Sequence, residues 1–251
     1  RALRSTGYSL TIVNTMEGDT GGVAGAVDHL LEQGVDGIIL SEPIDEGDDQ
    51  PIDLDIPVLT FGRFPGLSSR PMITTGGDGV GAARSATEHL LGLGHRTVWH
   101  VAGPQRWWAA RDRLEGWRQA LADAGAPEPP VLEGDWLPAS GYAAGRELAA
   151  NDEVTAIFVA NDDMSIGVLR ALTEAGRAVP DDVSIVGFDD IPSAGFLTPP
   201  LTTLPQDFDV HVARGIENLV TEIESPTGDR SPAPEPPPLR LVIRHSTASK
   251  R

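Results

Sequence analysis

Residues 155–176 read TAIFVANDDMSIGVLRALTEAG, and their reading decides the fold. The apolar run Thr155–Val159 reads as a buried strand, Ala160-Asn161-Asp162 as a polar turn, and Asp163–Ala175 as an amphipathic helix closed by Gly176 in the position of a left-handed cap. Strand, polar turn and helix in that order make half of a βαβ unit. The pattern repeats outward in both directions. Tyr8–Val13, Gly37–Leu40, Pro57–Phe61, Thr97–Val101 and Val183–Phe188 read as further strands. Gly21–Gln33, Val80–Leu91, Arg111–Ala124, Gly141–Ala150 and Val210–Ile223 read as helices, with Gly34, Gly92 or Gly94, and Gly125 as caps. The expected fold class is α/β, with parallel sheets flanked by helices. Arg1–Thr6 reads as the last turns of a helix entered in mid-motif. Glu224–Pro238, rich in Pro, Ser and charge, reads as a loop before a final strand, Leu239–Arg244.

At 251 residues and 40% hydrophobic content the chain can build one large α/β domain or two lobes. It contains no cysteine, which excludes disulfides, thiolate metal sites and cysteine nucleophiles. Apolar runs such as Val35–Leu40 fall far short of the ~20 residues that a membrane span needs, so no membrane partner is expected. A formal charge of −18 opposes contact with phosphate backbones, because nucleic-acid affinity comes mainly from Lys and Arg. The chain as given is therefore not expected to bind DNA by itself.

In open parallel sheets ligands lie off the carboxyl ends of the strands, and the residues there are unusually polar. They include Asp189-Asp190, Asn161-Asp162, and the run from Gly103 through Trp107 and Trp108 to Arg111 and Arg113. A polyol binder needs planar polar groups that bridge neighbouring hydroxyls, and an aromatic face for the apolar side of the ring. Asp189, Asn161, Arg113 and Trp136 supply that set. Plainer roles exist for each: Asn161 and Asp162 suit a helix cap, Asp189 the cap of a turn, Arg113 a surface ion pair, and Trp136 loop packing. Gly77-Asp78-Gly79-Val80-Gly81-Ala82 fits a dinucleotide pattern loosely. However, the next strand ends in Ala102-Gly103 where a ribose-binding acid is needed, so no cofactor is expected. The six histidines do not pair at metal-ligand spacing, and no metal is expected. An enzyme is not expected either; a glycosidase would have to use carboxylates such as Asp162 and Asp189.

Taken together, several segments resemble the LacI/GalR (lactose-repressor) family. They are Glu88–His95 followed by Val101-Ala102-Gly103-Pro104; Arg111-Asp112-Arg113-Leu114-Glu115-Gly116-Trp117; Val159–Gly167; and Val183–Pro192 continuing to Pro199-Pro200-Leu201-Thr202-Thr203. The resemblance covers essentially the whole chain. It implies a two-lobed, periplasmic-binding-protein-like fold with three crossovers, near Thr74–Gly77, Pro205–Asp207 and Pro236–Leu239. One lobe would hold residues 1–74 and 207–237, and the other 75–206 and 238–251. The resemblance also implies a helix-turn-helix headpiece, a hinge helix and a first core strand ahead of this chain, with operator DNA bound only through that headpiece.

By the same resemblance, Arg113, Asn161 and Asp189 are effector contacts. Glu133-Gly134-Asp135-Trp136 with Ser140-Gly141-Tyr142 places Trp136 against a sugar, Gln206-Asp207-Phe208 places Phe208 at the same site, and Ser41 is a further contact from the first lobe. The expected protein is a cytoplasmic, homodimeric repressor whose effector is a mono- or disaccharide. A secreted solute-binding protein of a sugar transporter is the alternative. Two departures, Gly62-Arg63 where the family's lactose pattern has an acid, and Ala109 where it has a serine, argue against galactoside recognition specifically. Trp107 and Trp108 reshape the same site if they face it.

Overall fold

The computed structural model describes residues 7–14, 22–41, 52–62, 64–69, 71–225 and 239–250. The expectations for Arg1–Thr6 and for most of Glu224–Pro238 lie outside the described residues. In chain order the elements begin with α1 (Gly22–Glu32), β1 (Ile38–Leu40), β2 (Ile52–Leu54), β3 (Val58–Phe61), β4 (Leu67–Ser69) and β5 (Met72–Thr75). There follow α2 (Gly79–Gly92), β6 (Trp99–Ala102), α3 (Trp108–Asp123), β7 (Leu132–Glu133) and α4 (Pro138–Ala149). The series ends with β8 (Ala156–Val159), α5 (Asp162–Glu174), β9 (Ser184–Val186), a short 3₁₀ turn at Ala194–Phe196, and α6 (Phe208–Glu224). No described helix is long and apolar enough to cross a membrane.

The chain divides into two compact units, Arg1–Gly76 with Asp207–Glu235, and Gly77–Gln206 with Pro236–Arg251. In the first unit β1, β3 and β5 form a parallel sheet in the order β1-β3-β5, with Ile38 opposite Val58 and Val58 opposite Met72. Successive residues of β3 serve opposite faces, as strand alternation requires. Val58 packs with Val27 and Ile38, while Leu59 packs with Ile216 and Leu219 of α6. Gly215 permits that close approach, since a β-carbon there would lie 2.9 Å from the Leu59 side chain.

The second unit carries the sheet β7-β6-β8-β9, parallel throughout. All four residues of β8 are buried, the mark of a strand covered on both faces. Ala156 and Phe158 join one core with Leu90 and Leu114 of α2 and α3; Ile157 and Val159 join another with Leu148, Met164 and Val168 of α4 and α5. The two helices of each pair press together over glycine. A β-carbon on Gly116 would come within 2.1 Å of the Val80 carbonyl, and one on Gly167 within 2.0 Å of the Pro138 carbonyl. Gly34, Gly94, Gly125 and Gly176 have the positive φ expected of caps; of the two candidates closing α2, Gly94 has it.

Three sequence expectations need correction. Tyr8–Val13 is in none of the sheets formed by the described residues, and Leu10 and Ile12 are exposed; a strand exists only through its ladder. Leu239–Arg244 is not a strand beyond one antiparallel bridge between Val242 and Thr203. Its neighbourhood is held by side chains instead: Thr202 Oγ1 accepts from the Arg244 N–H, and Ser246 Oγ both accepts from the Thr202 N–H and donates to the Ile185 carbonyl. Helix α3 begins at Trp108 instead of Arg111, with Trp107 as an N-cap that makes no side-chain cap bond.

Candidate functional site

The polar residues singled out in the second unit gather beyond the carboxyl ends of β6–β9. Asp189 follows β9 in a backbone conformation with φ 110°, and Asp190 follows it with φ 54°. The segment after it pins Asp189 in place: its N–H donates to the Leu204 carbonyl at 2.7 Å, and its carbonyl accepts from the Gln206 N–H at 3.1 Å. Its side-chain Oδ1 accepts from Gln206 Nε2 at 2.6 Å and, more loosely, from an Arg113 guanidinium nitrogen at 3.5 Å.

Arg113 projects from α3 and is 7% exposed. It donates to the Ala160 carbonyl at 2.5 Å. Its guanidinium carbon lies 3.9 Å from the Phe188 ring centroid and 5.3 Å from that of Trp136. Burial lowers the Arg113 pKa and raises that of Asp189, in each case against the attraction of the other. Desolvation therefore outweighs a 3.5 Å ion pair. A ligand that brings hydroxyls to these two groups would supply the hydrogen bonds that burial has withdrawn.

Asn161 has a local task as well. Its Oδ1 accepts from the Met164 N–H at 2.9 Å, capping α5, and its Nδ2 donates to the Trp136 carbonyl at 3.0 Å. The capping role is thus real, and the same side chain fixes the loop that carries Trp136. That loop is strained, with Trp136 at φ 73°. Asp135 Oδ1 accepts from the Leu137 N–H, and Ser140 Oγ accepts from the Asp135 N–H, bracing it from the other side. The Trp136 indole lies over Gly103 and meets Trp107 edge to face, with ring centroids 6.0 Å apart and planes at 84°. Its Nε1–H is buried and has no hydrogen-bond partner among the described residues.

Asp162, the other carboxylate considered for a catalytic pair, is fully buried. It accepts from the Thr203 hydroxyl at 2.7 Å and from the Ile191 N–H at 3.0 Å, and desolvation pushes its pKa up to about 7. Its job is to tie the segment after β9 to α5. Asp78, inside the loose dinucleotide pattern, caps α2 by accepting from the Gly81 N–H. Ser41 and Phe208 belong to the first unit, where both are exposed, one directly after β1 and the other opening α6. The sequence marks Gln206 only as part of a crossover, yet its amide donates the shortest hydrogen bond that Asp189 receives.

The model of the periplasmic binding protein-like domain matches residues 87–247. The Lactose operon repressor of Escherichia coli K12 is 33% identical over 226 residues, covering 88% of this chain and 61% of that protein. The Ribose operon repressor of the same organism is 34% identical over 237 residues, covering 90% of this chain and 70% of its own length. The chain belongs to the LacI family. Among solved structures, a dimeric Lac repressor with a C-terminal deletion superposes with a TM-score of 0.83 at 28% identity, covering 99% of this chain and 91% of that one. A complex of the transcriptional regulator CelR with cellobiose gives 0.75 at 32% identity, covering 88% and 69%. The α/β fold read from the sequence, with its periplasmic-binding-protein-like character, is borne out by these matches. The chain spans 61 to 62% of the length of the first of its curated relatives.

Proposed function

We propose that this chain is the effector-sensing core of a cytoplasmic, homodimeric transcriptional repressor, binding a small sugar that modulates how a separate headpiece engages operator DNA. The observation that carries the proposal is the grouping of Asp189, Arg113 and Trp136: a carboxylate and a guanidinium, both short of solvent, beside an indole. That is the equipment for gripping vicinal hydroxyls and covering the apolar face of a sugar ring. The CelR–cellobiose complex and the ribose and lactose repressors among the relatives support a sugar as effector. The relatives are operon repressors, which favours this reading over a transporter's solute-binding protein. They favour a non-enzymatic role too, and the burial of Asp162 argues against a glycosidase pair.

The residue set is part of the proposal: Asp189, Arg113 and Trp136 contact the effector, Asn161 holds Trp136 and contacts it as well, and Ser41 and Phe208 add contacts from the first unit. The proposed lobes are residues 1–74 with 207–237 and residues 75–206 with 238–251. Because a ligand shifts an equilibrium only by its differential affinity for two states, sugar binding must favour one conformation of the full repressor.

The test is thermal unfolding of this chain across mono- and disaccharides, sugar phosphates and purines, repeated with Asp189→Ala. Stabilisation of several degrees by one sugar, lost in the variant, is the expected result. Stabilisation by purines or phosphates alone would overturn the sugar reading.

A further inference from the structure

We infer that Trp107 is a specificity-determining residue that selects a two-ring glycoside over a single pyranose, an inference that rests on the sugar reading above. Trp107 occupies the N-cap of α3 and makes no side-chain cap bond there. Ser, Thr, Asp or Asn at that position would satisfy an orphan backbone N–H and stabilise the helix. An indole therefore gives up local stability, and its side chain is turned instead to Trp136, which itself sits at an unfavourable positive φ. Two tryptophans in touch, each at a backbone position that disfavours it, are not explained by helix or loop formation.

The neighbouring Trp108 is different. Its ring is covered by the Arg111 guanidinium, 4.5 Å from the centroid. Trp107 is only partly buried, and it is linked through Trp136 to Arg113 and on to Asp189.

The angle between the indoles decides what they can accept. A pyranose has two apolar faces, but these are parallel, so one ring cannot lie flat on two planes that meet at 84°. Two rings joined by a glycosidic bond can turn relative to one another and lay one ring on each indole. The first ring is held at the end marked by Asp189, Arg113 and Trp136. The second ring stacks on Trp107.

The experiment is titration calorimetry of the 251-residue chain with cellobiose, lactose and maltose, and with methyl β-glucoside and methyl β-galactoside as single-ring probes. It is repeated with Trp107→Ala and Trp107→Phe, each checked for folding by circular dichroism. The expected result is that one disaccharide binds about ten-fold or more tightly than the single-ring probe matching its held ring. Trp107→Ala should abolish that margin by costing the disaccharide about ten-fold more affinity than the single-ring probe, and Trp107→Phe should restore part of it. If single rings bind the native chain as tightly as disaccharides, or if Trp107→Ala weakens both alike, the inference falls while the sugar reading stands. If no sugar of either size binds the folded native chain, both fall together.

Discussion

A β-carbon built on Gly103 would meet the Trp136 indole at 2.2 to 2.5 Å. The glycine is therefore what allows the ring to lie where it does. Gly103→Ala should displace Trp136 from Arg113 and Trp107 and weaken sugar affinity by about ten-fold or more, with a loss of stability of about 1–3 kcal/mol from overpacking. Calorimetry with the best sugar ligand and a chemical denaturation curve measure the two effects separately. An unchanged affinity would mean that the indole position does not matter for binding.

Arg113 is buried and its partner Asp189 largely so, and both are disfavoured as ions by their surroundings. Removing one partner strands the other. Arg113→Met is expected to destabilise the chain by about 3–5 kcal/mol, and adding Asp189→Asn should recover part of that loss because no lone carboxylate then remains. A double-mutant cycle in urea reads the coupling. Full additivity would show that the 3.5 Å contact carries no interaction energy.

Asn161 joins two roles that substitution can separate. Asn161→Ser keeps an oxygen to cap α5 but loses the donor to the Trp136 carbonyl; Asn161→Ala loses both. The alanine variant should lose about 1 kcal/mol more than the serine variant, whereas sugar affinity should fall in both. Parallel melting and titration experiments decide this, and serine binding sugar like the native chain would reduce Asn161 to a cap.

Asp162 and His100 give opposite slopes to the stability of the fold against pH. The Asp162 carboxyl, raised by desolvation to about 7, holds its proton in the folded state longer than in the unfolded one, so its contribution is present at low pH and is lost as pH rises through 7. His100, stacked between Trp117 and Phe158, is pushed down to about 4 by complete burial, so it stays neutral when folded and costs stability as pH falls from 6.5 through 4. Between pH 4 and 6.5 the two nearly cancel. Asp162→Asn should expose the acid-labile slope of His100, at most about 1.4 kcal/mol per pH unit, and His100→Phe should leave stability falling as pH rises to 7. Urea midpoints across that range measure both slopes, and an unaltered profile in Asp162→Asn would show that the buried carboxyl is ionised throughout.

The fold was legible wherever a strand was long and apolar on both faces. Residues 155–176 declare their strand, turn, helix and cap in order, and β8 and α5 stand within a residue of that reading. What escaped was short or mixed. Leu67–Ser69, Leu132–Glu133 and Met72–Thr75 run two to four residues and carry polar side chains, so no apolar run announces them. Residues 239–244 do look like a strand, yet beyond the Val242–Thr203 bridge the Arg244 N–H goes to the Thr202 hydroxyl and not to a ladder carbonyl. In the site, residue chemistry made Asp189, Arg113, Asn161 and Trp136 candidates. The positive φ at Trp136 and Asp189 and the hydrogen bond from Gln206 depend on how distant loops meet, and no local pattern encodes that.

Three residues at this face, Trp136, Asp189 and Asp190, hold backbone conformations that glycine adopts without penalty. Each is worth about 1–3 kcal/mol of relaxation to a mutation that ignores ligand. A laboratory lineage selected for heat resistance alone would therefore drift toward glycine at these positions and lose the proposed sugar contacts of Trp136 and Asp189 as it hardened. Keeping the proposed sensor site intact through such a campaign requires sugar binding to be selected in every round.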